Sequence, residues 1–314
     1  MEAKPNKELG KPESHSDVLN KEPSALLIGY GWVGQHVHKY FKGADYFTPD
    51  MGLRDSEGRN LNLPWEAPKN YKKVMNDFGC VWDVAFISVP TPMKPDGSCD
   101  VSIVEQSIKN WERWVKLFII RSTVTPGTTF ALSEKYGARV VFQPEYIGET
   151  LGHPMLEPAR DPFIILGGKP EDTALAAEFW SRVLHANSRI RQVNSVTAEV
   201  CKYMENAFLG TKVIFVNEFA RLARKLGLDY LTLREAWLDD PRVGRSHSFA
   251  YEGNPGFSGK CLPKDLNSIV NFARKAGQPL KLIEAVLKIN AEMRQGVPTT
   301  QALLPEEKEV EKWK

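Results

Sequence analysis

Residues 24–34 read SALLIGYGWVG, and this stretch decides the fold. A short apolar run ends in glycine and passes straight into Gly29-Tyr30-Gly31-Trp32-Val33-Gly34, a GxGxxG that opens a helical pattern. A strand, a tight glycine turn and a helix in that order form a nucleotide-binding βα unit, whereas an ordinary glycine turn needs no such context. The glycines allow the turn, the approach of backbone to a pyrophosphate, and close packing of helix on sheet. The helix start adds unpaired N–H groups for the phosphates. A dinucleotide site is therefore expected at Gly29, Gly31, Trp32, Val33 and Gly34. Asp50 lies at the distance downstream where a carboxylate binds a ribose 2′-OH, which favours NAD over NADP. Asp45 is its rival, because YFTPD (46–50) makes a poor strand end.

Outward from this turn, strand and helix signals alternate. VWDVAFISVP (81–90), LFIIRSTV (117–124), ARVVFQP (138–144) and PFIILGG (162–168) are short apolar runs bounded by Gly and Pro. Amphipathic stretches such as VSIVEQSIKNWERWV (101–115) separate them, the pattern of βα units on a parallel sheet. Near Asn194 the pattern changes. From Ser195 to Leu226 apolar residues recur at helical spacing with a single Gly210, and helical periodicity returns over 231–238 and 266–294. The expectation is an α/β fold: a Rossmann-like parallel-sheet domain (24–194) followed by an all-helical dimerisation domain (195–296). Residues 1–23, rich in Lys, Glu, Pro and Ser, read as a disordered tail, and 297–314 as a C-terminal tail.

The chain has 314 residues, a formal net charge of +2, 42% hydrophobic and 25% charged residues. Near-balanced charge offers no basic face for nucleic acid. No apolar run approaches the ~20 residues of a membrane span, and the N-terminus lacks a secretory core. The four cysteines, Cys80, Cys99, Cys201 and Cys261, have neither CxxC spacing nor nearby paired histidines. They read as free thiols in a reducing cytoplasm, with no metal site.

Lys202 and Asn206, four apart on the long helix, share one face. Together they can steady a developing oxyanion, although taken alone the pair also suits an ordinary surface. In GNPGFSGKCLPKD (253–265), glycines and prolines shape a loop around Cys261. Lys260 and Lys264 beside it favour a thiolate nucleophile, whereas Cys80 and Cys201 read as packing residues.

At this point the chain resembles the UDP-glucose/GDP-mannose 6-dehydrogenase family. The likeness runs from about 25 to 296 through GYGWVG, VPTPMKPDGSCDVS, RSTVTPGTT, QPEYIGET, KYMENAFLGTKVIFVNE, DPRVG and GFSGKCLPKD, in the family's order. It implies NAD-dependent four-electron oxidation of a sugar-nucleotide C6 alcohol to a carboxylate. Cys261 would hold the aldehyde as a thiohemiacetal and then as a thioester. Lys202 and Asn206 would stabilise the oxyanion, and Asp265 would move protons with Lys202 and a water. Glu145 would serve thioester hydrolysis, with Thr123 positioning water. By the same resemblance Pro90, Thr91 and Thr123 face the cofactor. Tyr146, Ile147, Glu149, Phe257 and Gly259 line the sugar site with Glu145, Lys202 and Asn206. Arg242 would reach a neighbouring subunit's substrate, which implies a homodimer. The family continues into a second Rossmann-like domain with most nucleotide contacts, which this sequence does not reach; a separate chain supplying those contacts is one expectation. A two-electron β-hydroxyacid-type dehydrogenase and a non-catalytic relative are the alternatives. Cys261 argues against the first, and the joint presence of Lys202, Asn206, Cys261 and Asp265 against the second.

Overall fold

The computed structural model describes residues 23–62, 81–147, 163–184 and 186–296. Cys80, Glu149 and the two expected tails lie outside these residues, except Pro23, which is buried instead of belonging to a tail.

Eight strands are described: β1 (Ala25–Ile28), β2 (Asp45–Thr48), β3 (Gly52–Arg54), β4 (Val84–Ile87), β5 (Phe118–Ile120), β6 (Val140–Phe142), β7 (Phe163–Gly167) and β8 (Arg189–Val193). They form one sheet in the order β3-β2-β1-β4-β5-β6-β7-β8. Most neighbours run parallel, as the βα pattern suggested, while β2 with β3 and β6 with β7 are antiparallel. The chain leaves β1 to one side for β2 and returns to its other side for β4. That reversal opens a crevice at the carboxyl ends of β1 and β4, where doubly wound folds bind ligands.

The central strands are apolar because both of their faces are covered. Leu26, Ile28, Ala85, Ile87, Phe118 and Ile120 pack on one side with α2 (Ser102–Trp111) and α3 (Thr128–Tyr136). Ala25, Leu27, Val84, Phe86 and Ile119 face the other side with α1 (Trp32–His38) and α4 (Pro170–Ser181). The alternation is the period of two of a pleated strand. Three strands were not legible as strands. β2 and β3 are short segments carrying Asp45 and Arg54, and β8 (RIRQV) is half-exposed and charged, as suits an edge.

From Ser195 the chain is helical: α5 (Ser195–Lys225), α6 (Tyr230–Leu238), α7 (Cys261–Lys275) and α8 (Lys281–Met293). Asn194 caps α5 by accepting from the Thr197 N–H at 2.8 Å, and Gly227, at φ 70°, ends it. Gly210 has a packing reason: a Cβ there would lie 2.9 Å from a methyl of Leu266 on α7. α5 also lies on the sheet, where a Cβ on Gly167 would lie 2.4 Å from that of Ala198. Ala207, Ile214, Phe257, Leu266, Val286 and Met293 form the helical core. Among the described residues no helix is long and apolar enough to cross a membrane.

Candidate active site

The loops that leave the carboxyl ends of the strands line a cavity of about 390 Å³. Gly29 to Val33 come from the β1 turn, Thr48 to Met51 from the end of β2, Ser88 to Pro92 from β4, and Arg121 to Thr123 from β5. The three glycines do different work. Gly29, at φ 93°, has the Ser88 carbonyl where a Cβ would lie, 2.4 Å away, and a Cβ on Gly34 would meet the Gly29 carbonyl at 2.1 Å. A Cβ on Gly31 meets nothing within 4 Å, and Gly31 lines the cavity. That open space over the turn is the cradle a dinucleotide needs, so the residues present fit NAD.

Asp50 lies in this cavity, where its Oδ1 accepts from the Thr48 hydroxyl at 2.8 Å. Its rival Asp45 sits at the opposite end of β2, where its carboxylate accepts from the Trp82 indole at 2.9 Å. Burial pushes the Asp45 carboxyl up, against the pull of that hydrogen bond. Trp32, Val33, Pro90, Thr91 and Thr123 line the same cavity.

A second cavity, about 460 Å³, runs along α5 and shares Glu145, Ile147 and Cys261 with the first. Cys261 is not in a loop, as the glycines and prolines around it suggested; it is the first residue of α7. A proline three residues into a helix removes an N–H that has no intrahelical partner, so Pro263 is compatible with that start. The helix N-terminus lends its partial positive charge in favouring a thiolate, whereas the Lys264 ammonium is turned to Asp265 and the Cys99 sulfur. Cys261 and Cys201 are both half-buried, the latter on α5, 3.8 Å from the Tyr146 hydroxyl, whereas Cys99 is buried.

Lys202, Asn206 and Asp265 are all buried, yet they pair differently from the expectation. The Lys202 ammonium donates to the Glu145 carbonyl at 2.7 Å and stands 3.6 Å from its carboxylate. Lys202 also lies over the Tyr146 ring, 5.4 Å from the centroid. The Asn206 amide donates to Asp265 Oδ2 at 2.6 Å, and Lys264 donates to Asp265 Oδ1 at 2.7 Å. Asp265 is thus tied to Asn206 and Lys264, and Lys202 to Glu145. Burial disfavours the Lys264 charge, but Asp265, Cys99 and Tyr203 beside it hold the ammonium above the ordinary lysine value. Burial, with Cys201 next to it, pushes the Tyr146 phenol well up.

Three expected substrate residues stand elsewhere. Phe257 is turned into the helical core, where its backbone pairs both ways with the Asn290 side chain. Gly259, at φ 89°, shapes the turn between Ser258 and Lys260, which line the cavities. Arg242 is exposed and paired with Asp240 at 2.9 and 3.0 Å, outside both cavities of its own chain. Ser88, Ser122 and Met51 also line the first cavity, and Glu205, Lys212, Arg245 and His247 the second, none of them expected from the sequence. Lys212 had a usable signal, since Lys202, Glu205, Leu209 and Lys212 recur at spacings of three, four and three on one helix face. Glu205 shares that signal, and the others lie on segments with no periodicity to place them.

The family model for the UDP-glucose/GDP-mannose dehydrogenase NAD binding domain matches residues 66–185, and that for the family's central domain matches 196–292. The UDP-glucose 6-dehydrogenase of Rickettsia prowazekii is 30% identical over 219 residues, 67% of this chain and 49% of that protein. TuaD, a UDP-glucose 6-dehydrogenase of Bacillus subtilis, is 31% identical over 224 residues, 68% of this chain and 47% of its own length. The chain therefore spans about half the length of the curated relatives it matches. Among solved structures, a UDP-glucose dehydrogenase from Pyrobaculum islandicum superposes with a TM-score of 0.69 at 25% identity, over 91% of this chain and 71% of the other. With both domains matched in order and the glycine turn, α5 and Cys261 meeting around joined cavities, the chain belongs to the UDP-glucose/GDP-mannose dehydrogenase family.

Proposed function

We propose that the chain oxidises the C6 alcohol of a nucleotide sugar of the UDP-glucose type to the uronate in two NAD-dependent steps. The observation that carries this is the place of Cys261, on the shared wall of a dinucleotide-shaped cavity and a second cavity lined by Lys202 and Asn206. Bound NAD supplies the hydride acceptor for both oxidations. The Gly29–Gly34 turn and Asp50 hold that cofactor, and the sugar lies along Tyr146 and Ile147. Lys202 and Asn206 steady the C6 oxygen as charge develops on it. The Cys261 thiolate adds to the C6 aldehyde, so the half-oxidised sugar cannot leave between steps. Thr123 orients a water and Glu145 activates it to release the carboxylate from the thioester. Asp265 acts through Asn206, fixing its amide, and not beside Lys202.

The two-electron alternative has no use for a thiol held at a helix start between two cavities. A cytoplasmic location follows from the same chemistry, because Cys261 must stay reduced. The test is NADH formed per sugar consumed, against UDP- and GDP-sugars. Two NADH and a 6-carboxylate are expected, with Cys261→Ser stalling before free carboxylate. Full two-NADH turnover by Cys261→Ala would sink the covalent route. NAD binding without turnover on any sugar nucleotide would favour dependence on a separate chain for the nucleotide contacts.

The functional unit in this reading is a homodimer. Met204, Phe208, Phe215, Phe219, Leu222 and Leu226 leave an apolar stripe exposed along α5, and a stripe that long on a protein surface calls for a covering partner. The family resemblance assigns Arg242 of such a second copy to the neighbouring site.

A further inference from the structure

The second cavity has electrically different ends. Near Cys261 its charged lining residues are Glu145, Lys202 and Glu205, and the Lys202 ammonium is already engaged by Glu145. Ten residues along α5, a rise of about 15 Å, stands Lys212. Around it the lining is Val243, Gly244, Arg245, Ser246 and His247, and no carboxylate is among them.

Lys212 is an unusual lysine. It is 8% exposed, and its ammonium donates to the Gly244 carbonyl at 2.8 Å and the Val243 carbonyl at 3.0 Å, not to a carboxylate. The Trp237 ring lies 6.0 Å away. Burial, with Arg234 nearby, pushes its pKa below the usual lysine value. A full charge held by carbonyl dipoles is only partly compensated for its lost hydration. The cavity beside it is where the missing countercharge can enter.

The 243–247 segment is held from both sides. Lys212 grips its first carbonyls, while Arg234 donates to the Ser248 hydroxyl at 2.9 Å and the Ser248 hydroxyl donates to the Arg245 carbonyl at 2.7 Å. Between these anchors His247 sits at φ 56°, the one non-glycine at positive φ among the described residues. Such backbone costs free energy and persists where its surroundings impose it. The Arg245 guanidinium is 2.5 Å from Glu235, which Arg234 also contacts, so two cations share one acid outside the cavity lining.

The geometry points to an anion pole at this end of the cavity, in which Lys212, Arg245 and His247 take the diphosphate of the nucleotide sugar while Lys212 also clamps the loop that carries the other two. The inference rests on the dehydrogenase reading and names the part of the substrate that this chain grips by itself. The sugar then lies at the Cys261 end and its diphosphate at the Lys212 end.

Calorimetric titration of the whole chain with UDP and with inorganic pyrophosphate tests it. Both should bind, compete with each other and weaken as salt rises. Lys212→Met should weaken both by at least about tenfold, Lys212→Arg should retain most of the affinity, and Arg245→Ala should weaken both. NAD titration and iodoacetamide labelling of Cys261, run in parallel, show whether each variant is folded. Arg245 is a surface side chain, so its variant decides the matter if Lys212→Met unfolds. The inference is overturned if the wild type binds NAD but neither UDP nor pyrophosphate, or if folded Lys212→Met or Arg245→Ala binds both as the wild type does. Pyrophosphate binding that depends on Lys212, without NADH formation from any nucleotide sugar, would uphold the pole and count against turnover by this chain alone.

Discussion

Gly31 and Gly34 separate two uses of a glycine. A methyl on Gly34 collides with the Gly29 carbonyl, whereas one on Gly31 enters open space. Gly34→Ala should therefore cost about 1–3 kcal/mol of stability, the range for overpacking a tight contact, read as a lowered Tm. Gly31→Val should melt like the wild type and lose NAD affinity in calorimetry; unchanged NAD binding would remove the assignment of this turn. Lys202 is held by the Glu145 carbonyl and Asn206 by the Asp265 carboxylate, yet both line the second cavity. Losing either should lower kcat by about 10²-fold, the effect of one preorganised donor. The double variant should fall well short of the product of the singles, because groups that act on one oxygen are not additive. Losses confined to KM would contradict the oxyanion role.

At the level of elements, one buried acid joins the sheet to the long helix. Glu199, a turn before Lys202 on α5, is fully buried and accepts from the Gly127 and Thr129 N–H groups at 2.6 and 2.9 Å and the Thr129 hydroxyl at 2.6 Å. It thereby caps α3 from another element and fixes the RSTVTPGTT segment, with Thr123, against the helix of Lys202. Glu199→Gln turns one acceptor into a donor facing a donor and should cost about 2 kcal/mol, measured by chemical denaturation. Burial raises the Glu199 pKa above 4.5, opposed by its hydrogen bonds with Thr129 and Gly127. The folded state then holds this proton more tightly than the unfolded chain. The Glu199 contribution to stability should fall as pH rises from about 4.5 through the raised folded value. Glu199→Gln should lack that slope; an identical pH profile in the variant would refute the assignment.

For the whole molecule, the exposed stripe on α5 makes the oligomeric state a direct test. Phe219→Glu with Leu222→Glu should convert a dimer to monomers in sedimentation while leaving Tm and NAD binding near the wild-type values. Both side chains are about half-exposed in the single chain, at 45% and 51%, so a charge there costs little without a partner. A wild type that sediments as a monomer at every concentration would defeat the dimer.

What the sequence alone determined was whatever local chemistry forces. Strands covered on both faces must be apolar, so β1, β4, β5, β6 and β7 stood out. The glycine turn declared itself because Gly29 and Gly34 leave no room for a side chain, and α5 because its period holds over many turns. The tertiary structure alone decided the rest. β8 is a strand because β7 offers it hydrogen bonds, not because RIRQV favours one. Cys261 begins a helix whose Leu266 packs against Gly210, a contact invisible in the local run of Gly and Pro. Asn206 reaches Asp265 and Lys202 reaches Glu145 across sequence separations of 59 and 57 residues. Which donor meets which acceptor across such distances is set by how helix and sheet pack, and no local pattern encodes it.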